Sequence, residues 1–338
     1  MTHMKGESIW SVDELESVVA CPACGDPSGG FDRYTQMHDL LEFLPGEWRI
    51  KECAHCRSLF LDPRPTIESI GKAYATYFTH NSSAEAHASD NGKSLAWKLA
   101  NGYMNARYGC QRSPSWSLGR FIVPVLLPIR QQLDYFYRRL PRTPGRLLDV
   151  GGGNGLFLLR AKAAGWEVEG FEPDPVAAAA ARKSGISMYE RDLDLLAGAY
   201  DVVTTSHVIE HVHRPQEFLR QIFGLLRHGG MLWLATPNVH SLGHRWYGRS
   251  WLGLDPPRHL IVFSANALRD LLEQAGFTSI QFHRRGRGSA TILRKSKEWA
   301  AHEQRSKKRL PPLLVDGAAT LSPFASEELI VTAKKPVR

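Results

Sequence analysis

The sequence predicts an α/β fold preceded by a small metal-binding module. Three observations carry this. From Gly145 onward, apolar strand-like runs alternate with helical stretches. A glycine-rich turn joins the first of those strands to the first helix. Ahead of both, four of the five cysteines fall into two Cys-x-x-Cys pairs. Strands alternating with helices build a mostly parallel sheet with helices on both faces.

The length of 338 residues suits one small and one large module, and 43% hydrophobic residues are enough for a sizeable core. No run approaches the ~18 apolar residues that cross a bilayer. The most apolar stretch, 121–129, is shorter and contains Pro124 and Pro128. The first ten residues lack the apolar core of a signal peptide, so a cytoplasmic setting is expected. The formal charge of +8 is unevenly spread. Residues 1–60 hold 5 Lys/Arg against 10 Asp/Glu, whereas 281–310 hold 10 Lys/Arg against 2 Asp/Glu. The front is therefore acidic and a segment near the C-terminus basic. The bland reading of that basic segment is a solvated surface hairpin.

The front module is assigned to residues 1–65. Cys21-Pro-Ala-Cys24-Gly and Cys53-Ala-His-Cys56 each have the form of a zinc knuckle, in which two thiolates converge on one ion. Two knuckles complete a structural Cys₄ site. A redox role needs only one such pair. Residues 66–143 form a helical linker or cap. Within it, 67–78 has helical spacing and 81–92 is a polar loop. Residues 115–140 form an amphipathic helix broken near its prolines, which packs on the main domain; contact with a membrane surface is the weaker reading.

The main domain is assigned to 144–338. Strands are expected at 146–150, 167–171, 186–189, 200–206, 231–236, 277–283 and 328–333. Helices are expected at 156–164, 175–184, 215–226 and 265–275. The glycine turn reads Asp149-Val-Gly151-Gly-Gly153-Asn-Gly155. Glycines there permit a tight turn and a close ligand approach, although a glycine-rich loop alone is weak evidence. Glu172 ends the next strand, 17 residues past Gly155, where a carboxylate can accept from both hydroxyls of a ribose. Asp192 follows the third strand as a candidate for an adenine amino group, with Glu190 and Asp194 competing.

With these residues in place, 145–283 resembles the class I S-adenosylmethionine-dependent methyltransferases, close to the ubiquinone-pathway O-methyltransferases. Tyr200-Asp-Val-Val-Thr-Thr-Ser-His-Val-Ile-Glu-His211-Val is similar to their fourth-strand motif, and 226–238 to their fifth. The Cys₄ module followed by 59–65 resembles the zinc-ribbon methyltransferases associated with saccharide and glycan pathways. The resemblance implies a seven-stranded Rossmann-like sheet with an antiparallel last strand. It also implies S-adenosylmethionine bound through Asp149, Gly151, Gly153, Gly155, Glu172 and Asp192.

Methyl transfer requires an acceptor in line with the methyl group and, for a hydroxyl, a base. His207, His211 and His259 are the candidate bases, His259 leading and His211 second. In some ubiquinone-pathway relatives an acidic form of the His207-x-x-Glu210-His211 stretch is linked to a divalent metal; His207 in place of an acid argues against that here. The insertion 238–263 is dense in His, Arg, Trp and Tyr and is expected to act as a substrate lid. Packing of its aromatics inward is the structural reading. The expected function is methyl transfer to a small-molecule or saccharide hydroxyl. The alternatives are an RNA methyltransferase gripping phosphates with 281–310, and a cofactor-binding scaffold without turnover.

Overall fold

The computed structural model describes residues 8–39, 41, 44–74, 94–196, 198, 200–305 and 308–337. The loop expected at 81–92 lies outside the described residues, as does the end of the helical stretch expected at 67–78.

The front module contains β1 (Leu15–Glu16), β2 (Phe31–Met37), β3 (Trp48–Glu52), β4 (Leu59–Leu61) and β5 (Arg64–Pro65). A 3-10 turn, Ile70–Tyr74, stands where a helix was expected. Three helices follow: α1 (Leu95–Tyr108), α2 (Gly119–Val125) and α3 (Leu127–Phe136). The side chain of Ser94 caps α1 by accepting from Trp97 N, and Gly109 closes it at φ 73°. The break between α2 and α3 falls at Leu126, two residues before Pro128, which has no N–H to continue a helix.

The main domain alternates as its hydrophobic pattern predicts. Its elements begin β6 (Arg146–Val150), α4 (Leu156–Ala163), β7 (Glu167–Phe171), α5 (Pro175–Lys183) and β8 (Ser187–Tyr189). They continue β9 (Tyr200–Ser206), α6 (Pro215–Leu225), β10 (Leu226–Pro237), α7 (Leu242–Tyr247), β11 (Ile261–Val262) and α8 (Ala265–Gln274). The chain ends with β12 (Thr278–Phe282), α9 (Ser289–His302), α10 (Pro312–Leu321) and β13 (Glu328–Lys334). β10 starts earlier than the expected 231 because a bulge between Leu226 and Met231 lets it rejoin β9 in shifted register.

The sheet is seven-stranded, in the order β12-β13-β10-β9-β6-β7-β8. β13 runs antiparallel to both neighbours and the remaining ladders are parallel. The order reverses between β6 and β9, and ligand crevices in such sheets open beyond the carboxyl ends of the strands at that point.

A second sheet, β11-β4-β3-β2, joins the front module to the insertion after β10. Ile261 and Val262 pair with Phe60 and Leu59. Leu61 N donates to Leu260 O at 3.0 Å, Ser264 N to Ser58 Oγ at 3.0 Å, and Ser264 Oγ to Cys56 O at 2.7 Å. The ribbon and the insertion thus share one hydrophobic core with β9 and β10. The insertion is a packed wall: Trp251, Leu254 and Tyr247 are buried, whereas His240, Arg245 and Trp246 are exposed.

Residues 289–302 of the basic segment form a helix, α9, which carries Arg294, Lys295 and Lys297; the segment's other basic residues flank it. Leu293, Ser296 and Ala300 lie buried on one face at helical spacing, which leaves the charged residues outside. Among the described residues no helix is long and apolar enough to cross a membrane.

Candidate active site

The glycine loop leaves β6 and is pinned to the end of β7: Gly151 N and Gly152 N donate to Phe171 O at 2.8 and 3.1 Å. Gly151, Gly153 and Gly155 have φ of 77°, 52° and 78°, a region that costs a side-chain-bearing residue. A Cβ on Gly151 would sit 2.3 Å from Val208 Cγ2, so that glycine is fixed by packing. A Cβ on Gly153 would meet nothing within 4 Å. The loop is therefore open at Gly153, where a ligand can lie against the backbone.

Glu172 faces this opening. Its Oε2 accepts from Gly153 N at 2.8 Å and its Oε1 from Asp174 N at 3.1 Å. Burial pushes its carboxyl above the usual range despite these bonds. Each oxygen retains a lone pair for a further donor, as a diol requires. Asp149 is fully buried; its Oδ1 accepts from Thr204 Oγ1 at 2.9 Å and pairs with Arg138. Its Oδ2 is buried without a partner among the described residues. An open backbone cradle, a half-buried carboxylate and an orphaned carboxylate oxygen fit an amino-acid and nucleoside cofactor. Asp192 is exposed, at φ 62°.

Arg138 went unnoticed in the sequence. It follows α3, reaches over the start of the glycine loop to Asp149, and donates to Thr204 Oγ1 at 2.8 Å. Its guanidinium lies 3.8 Å from the Phe157 ring centroid. No local spacing signals this, since its partners are 11 and 66 residues away.

The segment after β9 turns the three polar groups 207, 210 and 211 to different tasks. His207 lies between two carboxylates: Nδ1 is 3.2 Å from Glu210 Oε1 and Nε2 is 2.9 Å from Glu328 Oε1. Burial alone would lower its pKa, but the Glu210 hydrogen bond and charge outweigh that and raise it. With both nitrogens donating to carboxylates, His207 is not free to take a proton from an acceptor. Glu210 is fully buried and also accepts from Thr236 Oγ1 at 2.9 Å. Burial would raise its carboxyl, yet His207 holds it down to about 2.

His211 and His259 stand together, ring centroids 4.8 Å apart. His211 Nδ1 is 2.9 Å from Arg258 O, and His259 Nδ1 is 2.9 Å from Gly253 O. A carbonyl only accepts, so both Nδ1 atoms carry the hydrogen and Nε2 is the position on each ring that can take a proton. Burial, with the His259 ring beside it, pushes His211 down to about 4, so it is neutral near pH 7. Ligand atoms of Glu210, His211 and His259 lie within 4.8 Å of one another.

Arg258 holds this corner. It is fully buried, and all five of its N–H groups are directed at acceptors. Nη2 donates to Asp39 Oδ1 at 2.5 Å and Asp255 Oδ1 at 2.7 Å. Nη1 donates to Asp39 Oδ2 at 2.9 Å and Ala73 O at 3.4 Å, and Nε to Asp255 Oδ2 at 3.0 Å. Asp39 comes from the ribbon, so the ribbon positions the residue next to His259.

The four knuckle cysteines converge as expected. Cys21 Sγ and Cys56 Sγ are 3.7 Å apart, and Cys24 Sγ and Cys53 Sγ 3.6 Å. A tetrahedron with Zn–S bonds of ~2.3 Å has edges of about 3.8 Å, so the cluster is compatible with one structural zinc ion. Cys110, the fifth, is buried elsewhere against Tyr137 Oη at 3.2 Å.

The family model described as "Methyltransferase domain" matches residues 128–281. A ubiquinone biosynthesis O-methyltransferase of Xanthomonas axonopodis pv. citri is 33% identical over 170 residues, covering 47% of this chain and 65% of that one. The enzyme of that name from Escherichia coli O127:H6 is 32% identical over 160 residues, covering 44% and 63%. The matches thus span a little under two thirds of those relatives' own length. Among solved structures, an S-adenosylmethionine-dependent methyltransferase of Archaeoglobus fulgidus is 19% identical, with a TM-score of 0.40, over 64% of this chain and 94% of that one. The sheet order, the glycine loop, the carboxylate after β7 and the sequence matches point the same way: residues 128–281 match a methyltransferase domain, and this part of the chain is similar to the ubiquinone biosynthesis O-methyltransferases.

Proposed function

We propose that this protein transfers a methyl group from S-adenosylmethionine to a hydroxyl of a small-molecule or saccharide acceptor. The observation that carries this reading is the pair of Nε2 atoms on His211 and His259, beyond the carboxyl ends of β9 and β10. When bound, the cofactor supplies a methyl group already activated on a sulfonium. The chain must orient the acceptor, exclude water and take one proton. In this reading Gly151, Gly153 and Gly155 shape the cofactor loop and Glu172 accepts from the ribose. Asp149 anchors the loop and Asp192 reaches the adenine. His259 takes the acceptor's proton, with His211 second. Similarity to ubiquinone biosynthesis O-methyltransferases supports oxygen as the methylated atom. The insertion 238–263 forms a fixed wall of the acceptor pocket rather than a free flap. Cys21, Cys24, Cys53 and Cys56 hold a structural zinc, and four reduced thiolates suit a cytoplasmic setting.

The deciding experiment is incubation with labelled S-adenosylmethionine and fractionated cell material. Label in small-molecule or glycan fractions supports the proposal; label in RNA selects the nucleic-acid reading, and none in any fraction the scaffold. With the acceptor known, His259→Ala should lower turnover by about 10²-fold while leaving S-adenosylhomocysteine affinity intact. Unchanged turnover overturns the base assignment and passes the test to His211→Ala.

A second reading has a specific observation behind it. Two imidazoles and the Glu210 carboxylate within 4.8 Å form a donor set that a divalent cation fits. Metal analysis separates the readings: about one equivalent per chain accounts for the ribbon alone, and about two for both sites.

A further inference from the structure

Three parts of the chain that are distant in sequence meet at a groove of about 520 Å³. Arg33 and Tyr34 come from β2 of the ribbon, Arg245, Trp246 and Arg249 from α7 and the turn after it, and Arg305 from beyond α9. The volume falls in the range of small-molecule sites.

Its charge is unbalanced. Arg33 faces Glu52 at 3.5 Å, a carboxylate it shares with Arg57 at 2.7 Å, and Arg249 faces Glu303 at 3.3 Å. Among the described residues, Arg245 and Arg305 have no acidic partner and both are exposed. Four guanidinium groups therefore meet two carboxylates.

Its aromatic surfaces are fixed in place. Trp246 is 43% exposed while its Nε1 donates to Lys308 O at 2.9 Å, so the ring is tethered with much of its surface free. Tyr34 is tethered by a relay. His244 Nδ1 donates to Val239 O, which leaves Nε2 as an acceptor for the Tyr34 hydroxyl at 3.0 Å. Guanidinium groups match phosphate oxygens in bidentate geometry, and an indole offers a face to a planar ring.

We propose that this groove binds an organic diphosphate bearing a planar ring, a nucleoside diphosphate by class, free or carrying a larger group. Its two surplus positive charges offset most of the negative charge of a diphosphate, and the tethered Trp246 receives the ring. A nucleic-acid strand fits less well. The arginines converge on one recess instead of following a track, and the ribbon on one side is acidic, with 10 Asp/Glu against 5 Lys/Arg in residues 1–60. This inference goes beyond the methyl-transfer reading and does not depend on it.

The test is direct binding to the full-length protein, by calorimetry and Trp fluorescence, at one fixed salt concentration. The probes are uridine diphosphate, inorganic pyrophosphate and a single-stranded RNA oligonucleotide; uridine avoids the expected adenine site. Uridine diphosphate is expected to bind more tightly than pyrophosphate. The double variant Arg245→Gln/Arg305→Gln should weaken it by about tenfold or more, and Trp246→Leu should abolish its advantage over pyrophosphate. Both substitutions are on exposed side chains, and unchanged S-adenosylhomocysteine affinity confirms folding. Absence of uridine diphosphate binding at millimolar concentration overturns the proposal. So does binding unaffected by the double variant. RNA binding that is tighter than, and competitive with, uridine diphosphate also overturns it, in favour of a nucleic-acid surface.

Discussion

Replacing Arg258 by methionine tests the claim that the ribbon and the candidate catalytic corner are one structural unit. The guanidinium is fully buried and joins Asp39 of the ribbon to Asp255 of the insertion through four charge-assisted hydrogen bonds of 2.5–3.0 Å. Burial disfavours the charge, but the two aspartates outweigh it and hold the group more firmly protonated than usual. Methionine fills much of the volume but takes the guanidinium away from two buried carboxylates. Removing one partner of a buried pair costs about 3–5 kcal/mol. For a chain of this size that corresponds to a fall in Tm on the order of 10 °C. Differential scanning fluorimetry reads the shift. The triple variant Arg258→Met/Asp39→Leu/Asp255→Leu removes all three charges and should recover most of the loss, since apolar replacement of a buried cluster is often neutral. A single variant within about 1 kcal/mol of the parent, or a triple variant no better than the single, would refute the reasoning.

Protein purified without added metal should carry about one equivalent of zinc, and Cys53→Ser should lose it together with thermal stability. Because Cys56 O and Ser58 hold Ser264, that loss should reach 258–264 and depress turnover more than cofactor affinity, as paired turnover and calorimetric measurements will show. Glu172→Ala removes the acceptors that face the open loop and should weaken S-adenosylhomocysteine by about 1–3 kcal/mol. Gly153→Val should weaken it as well, and unchanged affinity in both would sink the assignment. Stability should fall in acid through His244, whose burial holds it down to about 4 against 6.5 unfolded. With the folded value depressed, the unfolded state binds the extra proton. The contribution is therefore complete above pH ~6.5 and is lost on descending towards pH ~4. Between pH 7.5 and 4.5 this amounts to about 2.5 kcal/mol. In urea titrations at those two pH values, His244→Gln should show a correspondingly smaller difference.

What the sequence determined by itself was whatever depends on neighbours along the chain. The seven strands of the main sheet follow from short apolar runs, and their ends shifted by only a few residues, most at β10, where a bulge breaks the pattern. Cys21, Cys24, Cys53 and Cys56 were legible because two fixed spacings define one tetrahedron. The glycine turn was legible because its conformation requires glycine locally. Tertiary structure alone decided the rest. Arg138 on Asp149, Glu328 on His207 and Asp39 on Arg258 join residues 11, 121 and 219 positions apart. No periodicity encodes such pairs, because a buried charge finds its partner only once the sheet has closed. The insertion read as a lid for the same reason. Its sequence allows both a lid and aromatics packed inward, and the burial of Trp251 against Glu327 and of Tyr247 against Leu310 is set by segments more than 60 residues away. Sequence patterns report which face of an element is buried; what lies against that face is set by packing between distant segments.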